Sequence, residues 1–195
     1  MSQKHPLFPI QLTCHWQDPV AHNIPEYLLN WLVEPSSLTA RLKRHGGEFR
    51  VEVLGQQIDL CQSHEANDMI KAGEQVLVRE VLLYCDDVPQ VFARSLLPLS
   101  TLTDDEQVLA ELGNQPLGQV LFNNPSLERK NLTIAAFDQS SSVGLLVKNL
   151  SIDVDAEFIM WGRSSLFFVH QKPLMVAEVF LPQAFAYQKD VDKNV

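Results

Sequence analysis

Two strand-like runs each hold a charge where the pattern of apolar positions leaves no room for one. Positions 76–83 read Val-Leu-Val-Arg-Glu-Val-Leu-Leu, and positions 173–182 read Pro-Leu-Met-Val-Ala-Glu-Val-Phe-Leu-Pro. Side chains alternate faces along a strand, so Arg79 shares a face with Leu77, Val81 and Leu83, and Glu178 with Leu174, Val176 and Phe180. Burying an unpaired charge is costly, so the two are either paired with each other or used on a ligand.

The surrounding pattern supplies the other elements. Pro25 followed by Leu28, Leu29, Trp31 and Leu32 at helical spacing predicts a helix over 26–33. Ser36 or Ser37 caps a second helix over 38–44, ended by Gly46-Gly47. Period-2 alternation predicts strands at 49–53, 58–60, 75–84 and 90–97, the last two joined by a turn at Asp86-Asp87. Thr103 and Glu106 have capping-box spacing ahead of a helix reaching Leu112, and Pro116-Leu117-Gly118 opens a short helix through Leu121 and Phe122. Strand-like runs follow near 127–137, 143–154, 158–170 and 174–181, with a loop at 138–142 and a frayed tail at 189–195. Helices and strands come in blocks rather than alternating, which favours a single antiparallel α+β domain over 1–188.

Composition narrows the partners. A chain of 195 residues, 46% apolar, is long enough to bury one core. Its net charge of −9 opposes nonspecific attraction to nucleic acid or anionic membrane, so a small anionic substrate needs locally placed arginine. Three widely spaced cysteines, without a C-x-x-C pair, argue for a reducing cytoplasm rather than a disulfide framework. Pro6, Pro9 and Gln11 interrupt any leader-like apolar run, and no window approaches the roughly 18 apolar residues of a membrane helix.

Local chemistry is sparse. No Gly-rich phosphate loop, G-x-S-x-G or H-E-x-x-H is present. Cys61-Gln62-Ser63-His64-Glu65 is the one local cluster resembling metal ligands, and it reads as a solvated loop. Cys14-His15 places a thiol beside an imidazole, but adjacent strand residues face opposite ways. Arg94 and Arg163, also near apolar strands, either line a pocket or satisfy sheet-end carbonyls.

Taken in order, these motifs resemble the chorismate pyruvate-lyase family. The resemblance runs through 29–32, Ser37-Leu38-Thr39, 78–83, Arg94, 98–102, Leu112-Gly113, Pro116-Leu117-Gly118, Trp161-Gly162-Arg163-Ser164, Lys172-Pro173-Leu174 and Glu178 with Phe180-Leu181-Pro182. It implies a six-stranded antiparallel sheet with two helix-turn-helix flaps over a buried ligand site. It also implies conversion of chorismate to 4-hydroxybenzoate and pyruvate, the first committed step of ubiquinone biosynthesis, by a cofactor-independent, metal-free, cytoplasmic monomer. The family's site residues fall on Arg79 for the ring carboxylate, Glu178 for the 4-hydroxyl end, and Leu38 and Leu117 on the flaps. Arg79 and Glu178 are the implied catalytic pair, and Arg94 or Arg163 a holder of the departing enolpyruvate. Leu38 stands where the best-known form has methionine, and the segment 138–155 is longer than the family pattern. The fold also resembles the effector-binding domain of some transcription regulators, where a small molecule is bound without being turned over.

Overall fold

A computed structural model describes residues 4–21 and 23–189; the expected tail therefore lies, beyond Lys189, outside the described residues. Six strands form one antiparallel sheet: β1 (Phe49–Leu60), β2 (Gln75–Cys85), β3 (Val88–Pro98), β4 (Glu128–Phe137), β5 (Met160–Val169) and β6 (Lys172–Phe180), in the order β1-β2-β3-β6-β5-β4. The β2–β3 hairpin turns at Asp86-Asp87 and the β5–β6 hairpin at His170-Gln171, all four residues having positive φ. That is the backbone of the two-residue turn whose twist matches the flanking strands. At the first turn the Asp86 carboxylate accepts the amides of Glu48 (2.8 Å) and Gly47 (2.9 Å), which hold it below the ordinary carboxylate range. The predicted strands 49–53 and 58–60 are one strand, β1, carried through an irregularity between Val53 and Gly55.

Both faces of the sheet are covered, which explains why β2 and β3 are buried at nearly every position. On one face, Val81, Leu83 and Ala93 pack under helices α1 (Glu26–Leu32) and α2 (Leu38–His45), and Leu77, Leu97, Phe167 and Val176 pack under a 3-10 helix (Asp104–Ala110) and α3 (Leu117–Phe122). We call this the flap face. The opposite face carries Leu82, Phe92 and Val179 against Ile10, Leu12 and α4 (Ser142–Asn149), and Val76, Val78 and Leu96 against Cys61 and Ile70.

Two predicted elements differ. The run 143–154 is not a strand: its first part forms helix α4 and 150–154 leave it as irregular chain. Ser141 accepts the Gly144 amide at 3.1 Å as an N-cap, and Val143, Leu146 and Val147 bury one helical stripe. A side chain at Gly144 would stand 2.5 Å from the Gln139 carbonyl oxygen, so glycine is required for the close approach. The capping box at Thr103 and Glu106 does not form, and the segment is a 3-10 helix without a side-chain cap. Its two polar residues are taken by the β5–β6 hairpin instead. Lys172 Nζ donates to Thr103 Oγ1 (2.8 Å) and Glu106 Oε2 (2.6 Å), and His170 Nδ1 donates to Glu106 Oε1 (2.7 Å). The first of the two helix-turn-helix flaps is therefore α1–α2, and the second is the 3-10 helix with α3.

Candidate active site

The antiparallel register sets two rows of side chains across the flap face. One row runs Arg79 (β2), Ser95 (β3), Val176 (β6), Ser165 (β5); the next runs Val81, Ala93, Glu178, Arg163. Strand spacing and rise put the Arg79 and Glu178 backbones about 12 Å apart on the diagonal, leaving their side chains to converge from opposite sides. Over these rows lies a cavity of about 570 Å³, counted to its mouth, lined by Arg79, Ser95, Arg163, Val176, Glu178, Leu38 of α2 and Leu117 of α3, among others.

The four residues named from the sequence, Arg79, Glu178, Leu38 and Leu117, thus all line one cavity. They do not include an ion pair. Arg79, 3% exposed, donates from Nη2 to the carbonyls of Gly113 (2.8 Å) and Gln115 (3.2 Å) and from Nη1 to Gln56 Oε1 (3.3 Å). No carboxylate among the described residues pairs with it, and burial pushes its guanidinium pKa down. Glu178 is held instead by Arg163, whose Nε donates to Oε2 at 2.7 Å; Oε1 takes no hydrogen bond among the described residues. Glu178 keeps 16% of its side chain exposed, against 3% for Arg163, so it is less deeply buried than its position in the strand pattern implies.

Both flaps are tied down. Arg163 Nη1 donates to the carbonyls of Trp31 (3.2 Å), Leu32 (3.4 Å) and Glu34 (3.2 Å), at the C-terminal end of α1, where backbone acceptors are left over. The carbonyls that receive Arg79 belong to the turn leading into α3. Ser37 caps α2 by accepting the Ala40 amide at 3.3 Å. The flaps meet where Lys43 Nζ donates to Gln119 Oε1 (2.9 Å) and where a side chain at Gly118 would press to 3.3 Å from Thr39 Oγ1.

Arg94, one of the two arginines expected to line a pocket or hold the departing enolpyruvate, does not line the cavity. It faces Glu80 in the β2–β3 register, and both point to the opposite face. There its Nε and Nη2 donate to Glu65 (2.6 and 3.0 Å) and its Nη1 to Glu80 (2.5 Å), while Glu80 also accepts the Ile10 amide. Burial pushes the Glu80 carboxyl up, against the pull of Ile10 and Arg94. A wider groove on that face, about 950 Å³ to its mouth, includes His64 and Glu65, but this carboxylate is already committed to Arg94. Among the described residues no group of three His, Cys, Asp or Glu side chains is placed to hold a metal. Burial, then Glu65, pushes the Cys14 thiol up to about 12, far from the range of an activated nucleophile.

One residue beside the site has no counterpart in the sequence analysis. Arg129, between Glu128 and Lys130 on edge strand β4, is drawn in over the Phe167 ring. No periodic signal marks it, because its contacts to Ser165 and Glu34 come from distant parts of the chain.

Comparison with known proteins identifies the family. The family model described as chorismate lyase matches residues 11–191. Proteins named probable chorismate pyruvate-lyase match at 45% identity from Psychromonas ingrahamii (83% of this chain, 86% of that protein) and at 37% from Pseudoalteromonas translucida (92% and 98%). Among solved structures, PhnF from Mycobacterium smegmatis superposes with a TM-score of 0.56 at 14% identity over 75% of this chain and 64% of that one. The ligand-binding domain of a GntR-family regulator from Bordetella bronchiseptica gives 0.51 at 16% over 71% and 87%. At such identities these two structures show the shared fold alone. Among the described residues no helix is long and apolar enough to cross a membrane. With the family match spanning nearly the whole sequence, this chain belongs to the chorismate lyase family.

Proposed function

We propose that this protein is a chorismate pyruvate-lyase that makes 4-hydroxybenzoate for ubiquinone synthesis without a cofactor. The observation that carries the reading is a buried arginine, Arg79, that has no acidic partner among the described residues and shares a cavity with a carboxylate, Glu178, of which one oxygen takes no hydrogen bond among them. A ligand carboxylate satisfies the first. The guanidinium fork matches it bidentately, and exclusion of water strengthens the charge-assisted bonds.

Chorismate carries a ring carboxylate, a 4-hydroxyl and an enolpyruvyl ether at C3. Breaking the C3–O bond and losing the C4 proton leaves 4-hydroxybenzoate; the departing enolpyruvate takes up a proton and becomes pyruvate. The ring becomes aromatic, which drives the reaction. With its ring carboxylate on Arg79, the substrate directs its 4-hydroxyl end toward Glu178, whose Oε1 accepts the hydroxyl or the C4 proton. Arg163 fixes the Glu178 carboxylate through Oε2 and stands where the ether side chain departs. Leu38 and Leu117 close on the ring from above and exclude water, so orientation supplies much of the acceleration.

Incubating purified protein with chorismate in EDTA and following 4-hydroxybenzoate and pyruvate tests this. Equal amounts of both products are expected. Absence of product sinks the lyase reading and leaves a binding domain, whereas inhibition by EDTA sinks its metal-free form.

A further inference from the structure

The cavity's cations outnumber what a single carboxylate needs. Arg79 and Arg163 line the cavity with the one carboxylate of Glu178, and Arg129 stands behind that lining, over the cavity residue Phe167; the three arginines against one carboxylate leave an excess of three minus one, or two positive charges. The nearby Glu34 carboxylate is engaged by Arg41 at 3.1 Å. Arg129 extends the first row: its Nε donates to Ser165 Oγ at 2.9 Å, on the side away from Arg79. The Arg79 backbone lies three strand spacings from that of Ser165, about 14 Å.

Arg129 also stands beside Arg163. Its Nη1 donates to the Glu34 carbonyl at 2.6 Å, the same oxygen that receives Arg163 Nη1 at 3.2 Å. Two guanidiniums on one carbonyl repel each other. Burial first, then Arg163, pushes the Arg129 guanidinium down to about 10, which leaves it charged at neutral pH. Its Nη2 is buried and has no acceptor among the described residues. A buried, unused donor on a charged group is expensive to keep, and a ligand carboxylate is an acceptor that would satisfy it.

We propose that Arg129, together with Arg163, seats the second carboxylate of the substrate, the one on the enolpyruvyl group, through its free Nη2. This rests on the chorismate reading and adds a binding residue to it. Arg79 takes the ring carboxylate at one end of the row and Arg129 the side-chain carboxylate at the other, so the excess of two charges matches a dianion. The product 4-hydroxybenzoate, with one carboxylate, does not use Arg129.

The test compares the two ligands in Arg129→Gln and Arg129→Lys. For Arg129→Gln, kcat/KM for chorismate should fall about 10- to 100-fold, mainly through KM, with Kd for 4-hydroxybenzoate within about twofold of wild type. Arg129→Lys, which keeps the charge, should recover part of the loss and stands in if the glutamine variant fails to fold by circular dichroism. Equal weakening of both ligands would mean that Arg129 only latches the first flap through Glu34, and the proposal fails. No change in either ligand overturns it as well. Wild-type protein that releases no product from chorismate removes the proposed function itself, and this inference with it, before any variant is read.

Discussion

Arg79 and Glu80 are neighbours in β2, both almost fully buried, and they meet opposite circumstances. Glu80 faces Arg94 across the β2–β3 pair, and with Glu65 and the Ile10 amide it forms a closed network in which every charge has a protein partner. Arg79 faces Ser95, an uncharged residue, and among the described residues its guanidinium is left with three neutral oxygens. The first arrangement joins the sheet to the 61–70 segment and the N-terminal segment. The second has binding capacity left over. A buried charge is thus no marker of a ligand site by itself; what separates the two faces is whether the charges balance within the protein.

The comparison breaks most sharply at Arg94. Replacing it with methionine leaves Glu65 and Glu80 buried without their cation, and should cost about 3–5 kcal/mol of stability in a denaturant titration. Turnover per folded molecule should hold. A drop in kcat/KM at unchanged stability would show that the two faces share the work of the site.

Arg79→Ala should do the reverse. Loss of the ring-carboxylate donor is expected to lower kcat/KM about 100- to 1000-fold, with a smaller loss of stability than at Arg94, from the Gly113 and Gln115 carbonyls left without their donor. Loss of stability without loss of activity would make Arg79 another structural charge. Glu178→Gln keeps the shape and removes the base, so kcat should fall about 100-fold while 4-hydroxybenzoate still binds. Near wild-type kcat would leave Glu178 with positioning alone.

Much of this arrangement was legible in the strand pattern, for a simple reason. Alternation assigns each residue of a strand to a face without knowledge of its neighbours, so Arg79, Glu178, Val81 and Val176 could be placed on apolar faces from sequence alone. Ser37, Gly46 and Pro116 similarly marked the flap helices, because caps and breakers act within one turn of chain. Local signals failed where two periods competed or where a distant partner intervened. The run from Val143 is apolar at nearly every position and fits a buried strand as well as a helix; Ser141, read as loop, was the cap that decided it. Thr103 and Glu106 have the spacing of a capping box, but Lys172 and His170, from a hairpin more than sixty residues away, claimed their side chains.

The sequence by itself determined the antiparallel α+β class, two helical hairpins and the presence of charges on buried faces, since these follow from periodicity and local backbone chemistry. Partnership was decided only by the tertiary structure. Strand order brought β6 between β3 and β5, which gave Glu178 to Arg163 rather than to Arg79. The β2–β3 register turned Arg94 away from the cavity, and the fold of the first flap drew Arg129 out of an ordinary charge run. Electrostatic pairing depends on distances of a few ångströms between residues far apart in the chain, and no local pattern encodes those distances.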